Sequence, residues 1–116
     1  MLSASTGPLS LEDTKTWLEQ RKLTGSEEQI ENYYKRHSAL ALVNAIPDDQ
    51  KKAIRWYIDC GDDDFLFEGN SLVHIAMRKK EIPHEFRISN GGHTWTYWRT
   101  ALPTVLSFVS ESFHQF

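Results

Sequence analysis

Hydrophobic and polar positions change their rhythm near residue 50. Before it, apolar residues recur every three or four positions, the spacing of helix faces. Leu11, Thr14, Trp17, Leu18 and Arg21 mark a short amphipathic helix, with Ser10 three residues before Asp13 as its start and Thr24-Gly25 as its stop. Ser26-Glu27-Glu28-Gln29 opens a second helix: Gln29 can reach back to the cap, and two acids face the positive helix terminus. Ile30, Tyr33, Tyr34 and His37 share one face of it. Ser38 restarts the chain into a short apolar helix over residues 40–46, which stops before Pro47. Residues 1–9, with Gly7-Pro8, read as a loop or end. Pro47 to Lys52 reads as a charged surface turn.

Beyond that turn the pattern is that of strands alternating with helices. Residues 53–60 are short, β-branched and aromatic, and nearly continuously apolar after Arg55, which predicts an interior parallel strand covered on both faces. Gly61 ends it. Asn70 or Ser71 then caps a helix bearing Leu72, Ile75, Ala76 and Lys79, closed by Ile82-Pro83. Residues 85–89 alternate, with Phe86 and Ile88 inward and Arg87 outward. A connection that contains a helix implies parallel strands and a right-handed crossover. Asn90-Gly91-Gly92 is a turn that delivers His93. From Trp95 a last helix carries Trp98, Leu102, Val105, Leu106, Val109 and Phe113 on its apolar side, and Pro103 must kink it or sit in its first full turn. The predicted class is therefore α/β, with a helical and loop segment over residues 1–52 and a βαβα unit over residues 53–116.

Composition narrows the partners. In 116 residues, 40% hydrophobic and 25% charged content is that of a folded chain, long enough for one domain. A net charge of −3 speaks against nucleic acid or an anionic membrane as the main partner. No apolar run approaches a membrane span, and no secretory signal is visible. Cys60 is the single cysteine, so neither an internal disulfide nor a cysteine-pair zinc site is available.

Chemistry concentrates at the carboxyl ends of the two strands, where sites gather in open α/β sheets. Asp62, Asp63 and Asp64 stand at the first end and His93 at the second. A general base needs a carboxylate to hold one imidazole nitrogen while the other works on the nucleophile, and any of the three acids could be that carboxylate. A solvated acidic turn is the bland alternative. A calcium loop of the EF-hand kind fails, because the sixth residue from Asp59 is Asp64 and from Asp62 is Phe67, not glycine. No metal and no other cofactor is expected. Trp95 and Trp98 flank His93 with apolar surface that can exclude water. His74 lies in the crossover helix, His84 ahead of the second strand and His114 near the tail, so all three compete poorly. His37 reads as a partly buried histidine with a hydrogen-bond partner, and Cys60 as inert packing. No Gly-x-Ser-x-Gly occurs in the chain, so the nucleophile of a Ser…Asp…His triad is absent from it.

With those residues in view, the chain resembles the C-terminal part of the esterase D and feruloyl-esterase branch of the α/β-hydrolases. That branch includes S-formylglutathione hydrolases and carbohydrate-associated esterases of gut bacteria. The matching segments are Ile58-Asp59-Cys60-Gly61-Asp62-Asp63-Asp64-Phe65-Leu66 and Gly91-Gly92-His93-Thr94-Trp95, followed by Tyr97-Trp98-Arg99 and Leu102-Pro103. The resemblance implies that Asp64 is the triad acid, three residues after the glycine, and that His93 is the triad histidine. It also implies a substrate that is a small or carbohydrate-linked ester, and a role for residues 1–52 in covering the active site. The serine and oxyanion loop would lie outside this chain, which alone is not expected to hydrolyse esters. A strand at residues 53–60 without its neighbour would expose a backbone edge, which a second copy of the chain or the N-terminal helices would cover. The rival expectation is a non-catalytic βαβ module that binds a partner through the Gly-Gly-His loop and the tryptophans.

Overall fold

The structure, a computed structural model, describes residues 6–113. Three helices come first: α1 (Leu11–Gln20), α2 (Glu27–His37) and α3 (Ala39–Asn44). Each starts on a serine whose Oγ accepts a backbone N–H. Ser10 takes that of Asp13 at 2.9 Å, Ser26 that of Gln29 and Ser38 that of Ala41, both at 3.2 Å. Gln29 completes the reciprocal box by accepting the Ser26 N–H at 2.9 Å. Caps of this kind are worth about 1 kcal/mol each. His37 is exposed instead of half-buried, its ring lying 4.2 Å from that of Tyr33, because α2 buries none of its residues.

After a 3-10 turn at Asp48–Gln50 come β1 (Trp56–Gly61), α4 (Phe67–Lys79), β2 (His84–Ser89) and α5 (Trp95–Phe113). The strands are parallel and in register from Trp56 opposite His84 to Gly61 opposite Ser89. Alternation along β1 sends Ile58 and Cys60 to one face and Tyr57 and Asp59 to the other. The first face meets α4, where Val73, Met77 and Ile82 form the buried core with Ile58, Ala39, Leu40, Val43 and Ile46 packed against it. The second meets α5, with the Tyr57 ring 5.2 Å from that of Phe108 and Asp59 taking the Tyr97 hydroxyl.

Five sequence expectations shift. The strand begins at Trp56, not residue 53, because Arg55 turns toward α5 and donates to the Phe108 carbonyl and to Glu111, both at 2.8 Å. Helix α4 begins at Phe67, ahead of the expected cap. Asn70 lies buried within it, donating to the Leu66 carbonyl at 3.0 Å, and Asp64 receives the Leu66 N–H that opens the turn. Ile88 is 39% exposed instead of inward. Helix α5 runs past Pro103 without interruption. The side of α5 expected to be buried is largely open, with Leu106 at 57% and Phe113 at 70% exposure.

The radius of gyration is 16.1 Å, against roughly 13–14 Å for a compact domain of this length. The chain is open as well as small-cored. Among the described residues no third strand pairs with β1. Along β1, between α3 and α4, runs an apolar groove of about 370 Å³ lined by Leu42, Val43, Ile46, Trp56, Ile58 and Met77 among others. No helix of the described residues is long and apolar enough to cross a membrane.

Candidate active site

Pairing between the two strands continues beyond their ends. The Asp62 N–H donates to the Ser89 carbonyl and the Asp63 N–H to the Gly91 carbonyl, each at 2.9 Å. The acid loop after β1 and the glycine loop after β2 are thereby zipped together. Gly61 permits the approach: a Cβ there would lie 2.1 Å from the Gly91 carbonyl oxygen. Gly61 ends β1, as its sequence position implied, and it also lets the two backbones touch.

A tight turn follows, in which the Asp64 N–H bonds back to the Gly61 carbonyl at 3.2 Å. It drives the Asp64 carboxylate inward, to 1% side-chain exposure. Oδ1 accepts the Leu66 N–H at 2.8 Å and Oδ2 faces His93 Nδ1 at 3.0 Å. An ionised carboxylate only accepts, so Nδ1 carries the proton and Nε2 becomes the nitrogen suited to proton transfer. Of the three candidate acids, the structure brings Asp64 to His93. Asp62 accepts the Gly91 N–H at 3.0 Å, and the Asp63 side chain is exposed.

Aromatic rings surround the imidazole, which is 31% exposed. Trp98 stands edge-on to it at 4.7 Å, and Trp95 stacks edge-on to Trp98 at 5.2 Å while remaining 72% exposed. Both tryptophans singled out from the sequence are therefore at the site, one against the histidine and one outside it. Phe65 was not singled out, yet its ring lies 5.0 Å from His93 and is 79% exposed. Its position directly after Asp64 was the available signal. The Trp98 indole N–H is buried without a partner among the described residues.

The other polar groups are spoken for. Cys60 is fully buried, and burial, then the Asp64 charge, raise its thiol pKa, which keeps it protonated and unreactive. His74 and His84, discounted from sequence, hydrogen-bond each other at 2.7 Å. On the α5 face a polar cavity of about 380 Å³ includes Tyr57, Asp59, Arg87 and Tyr97. Burial, then Asp59, push the Tyr57 hydroxyl up to about 12 and raise Tyr97 in the same way, so both phenols stay protonated and donate to Asp59.

These features set a buried carboxylate against an imidazole at the rim of a parallel sheet, an arrangement suited to acid–base chemistry. Comparison with known proteins finds relatives among esterases. The chain is 25% identical over 71 residues to an acetyl esterase of Caldicellulosiruptor saccharolyticus, matching 61% of this chain and 27% of that protein. Its structure resembles that of a ferulic acid esterase with a TM-score of 0.62 and 39% sequence identity, over 66% of this chain and 30% of the other. The chain thus spans under a third of the length of either relative. No protein-family model matches it. The esterase resemblance read from the motifs stands on both relatives.

Proposed function

We propose that this chain carries the acid–base half of a serine carboxylic-ester hydrolase and corresponds to the C-terminal part of an α/β-hydrolase fold. The observation that carries the reading is the 3.0 Å contact between buried Asp64 and His93 at the ends of adjacent parallel strands. Asp64 holds the imidazole in one tautomer and orientation. His93 Nε2 then takes the proton from a serine hydroxyl as it attacks the ester carbonyl, and Asp64 stabilises the imidazolium so formed. The same proton passes to the leaving alkoxide, and a second cycle with water releases the acid. Trp95, Trp98 and Phe65 form an apolar wall for the acyl or alcohol part of a small or carbohydrate-linked ester. No Gly-x-Ser-x-Gly occurs in these 116 residues, so on this reading the serine is supplied from outside them. A role for the Gly-Gly-His loop as a partner-binding surface has weaker support, because His93 turns toward Asp64.

The test is to express the chain joined to the coding sequence that adjoins it and to assay p-nitrophenyl acetate hydrolysis. His93→Ala and Asp64→Asn should each lower kcat by about 10⁴-fold. Asp63→Asn should leave it within about threefold, since its side chain is exposed. Full turnover in either of the first two variants, or an adjoining sequence with no nucleophilic serine, would sink the reading.

A further inference from the structure

We propose that Asp62 is a positioning residue, whose carboxylate clasps the Gly91 amide and so sets His93 against Asp64. The inference rests on reading Asp64 and His93 as the working pair, and adds the device that holds them in reach.

The loop bearing His93 is Asn90-Gly91-Gly92, a run that would sample many backbone conformations if left to itself. Gly91 sits at φ +138°, where a side chain would be strained, and an added Cβ would meet Tyr97 Cδ2 at 2.8 Å. Tyr97 is itself fixed from beneath by its hydroxyl bond to Asp59. Two further contacts fix the orientation of the Gly91 backbone. Its carbonyl accepts the Asp63 N–H at 2.9 Å, and its N–H donates to Asp62 Oδ1 at 3.0 Å. The first is a backbone contact that any residue at position 63 other than proline could make. The second depends on the side chain at position 62.

That dependence matters because a glycine peptide flips cheaply. Rotating the Asn90–Gly91 peptide would withdraw the N–H from Asp62 and carry the chain leading to His93 with it. The carboxylate is well placed to resist. Its own backbone N–H is tied to the Ser89 carbonyl at 2.9 Å, so Asp62 bridges the last residue of β2 and the loop beyond it. A contact with a charged acceptor is the stronger kind. Asp62 is exposed, so the contact adds little to global stability, but a displacement of about 1 Å at the imidazole is enough to cost about 10²-fold in a positioned reaction. The three consecutive acids thus divide the work. Asp64 faces the imidazole, Asp62 secures the loop, and Asp63 lends its backbone.

The experiment uses this chain with ¹⁵N-labelled histidine and follows the low-field His93 Nδ1–H resonance. It should be present in the wild type and lost in Asp64→Asn. Asp62→Ala should lose or broaden it while far-UV circular dichroism stays unchanged, and Asp62→Asn, which keeps an oxygen acceptor, should retain it. The Gly91 amide should exchange roughly tenfold faster in Asp62→Ala than in wild type. A resonance sensitive to Asp64→Asn but indifferent to Asp62→Ala overturns the clasp and leaves the pair intact. A resonance absent from the wild type overturns the pair, and Gly91 exchange then decides the clasp alone. Should Asp62→Ala not fold, an unprotected Gly91 amide in the wild type overturns the proposal, and a protected one with Asp62→Asn behaving as wild type supports it.

Discussion

Gly61, without catalytic chemistry of its own, governs how the rim is built. Gly61→Ala would place a methyl 2.1 Å from the Gly91 carbonyl, backbone against side chain, so one of the two loops must move. The expected outcome is a weakened contact between the loops. Urea titration should show a loss of about 1–3 kcal/mol, the usual range for forcing extra bulk into a closed space. Wild-type stability would show that the loops do not touch. The histidine pair away from the rim gives a second prediction. His84 Nδ1–H donates to the Ile82 carbonyl at 2.8 Å, so His84 Nε2 accepts from His74 Nδ1–H. Burial, followed by the charges of His84 and Arg78, lowers the His74 pKa from its ordinary value. A lowered folded value means that the folded state resists protonation. The stability it supplies is complete above the unfolded pKa of about 6.5 and is lost as pH falls through the folded value. The urea midpoint should therefore drop between about pH 7.5 and about pH 5, and drop less in His74→Gln. Equal declines in the two proteins would remove His74 as the cause.

At the scale of elements, α4 is the one that holds the others. It packs β1 on one side and α3 on the other, through Val73 and Met77. Met77 is 3% exposed, and Met77→Ala should cost about 2–5 kcal/mol, a large share of the 5–15 kcal/mol typical of a domain. Leu106 on α5 is 57% exposed, and Leu106→Ala should stay within about 0.5 kcal/mol. Chemical denaturation of the two variants side by side checks the contrast. Similar losses would mean that α5 carries more of the packing than its exposure implies. The helix also holds the rim in place, because its first turn is anchored by Asp64. The carboxylate that faces His93 is the same one that receives the Leu66 N–H.

The molecule as a whole is more extended than its length requires. Among the described residues, apolar surface stays open in the groove along β1 and on the outer stripe of α5 formed by Leu102, Leu106, Val109 and Phe113. An edge strand bordered by apolar side chains invites pairing. We propose that a second copy covers the β1 edge when the chain is alone in solution. Size-exclusion chromatography with light scattering should show mass rising with concentration, and Trp56→Lys, which puts a charge on a groove residue 43% exposed, should shift the chain toward monomer. A constant monomer mass across the concentration range would count against it.

Short-range physics was enough to determine much of this protein. Serine caps and three-to-four spacing set the first three helices, β-branched and aromatic runs set the strands, and a helix between two strands made them parallel. The same local reading put carboxylates and a histidine at neighbouring strand ends, because the direction of a parallel strand dictates which residues reach its rim. Choosing among Asp62, Asp63 and Asp64 needed more than local pattern, since all three have the same chemistry and differ only in where a turn points them. The resemblance named Asp64, and the folded chain shows why it faces His93: the turn back to Gly61 buries that carboxylate and leaves the two before it outside. The His74–His84 bond, the nearness of Phe65 to the imidazole and the open face of α5 depend on contacts between residues distant in sequence or on what lies beside an element. Tertiary packing alone decides these, because hydrophobic periodicity says which face can be buried but not whether anything arrives to bury it.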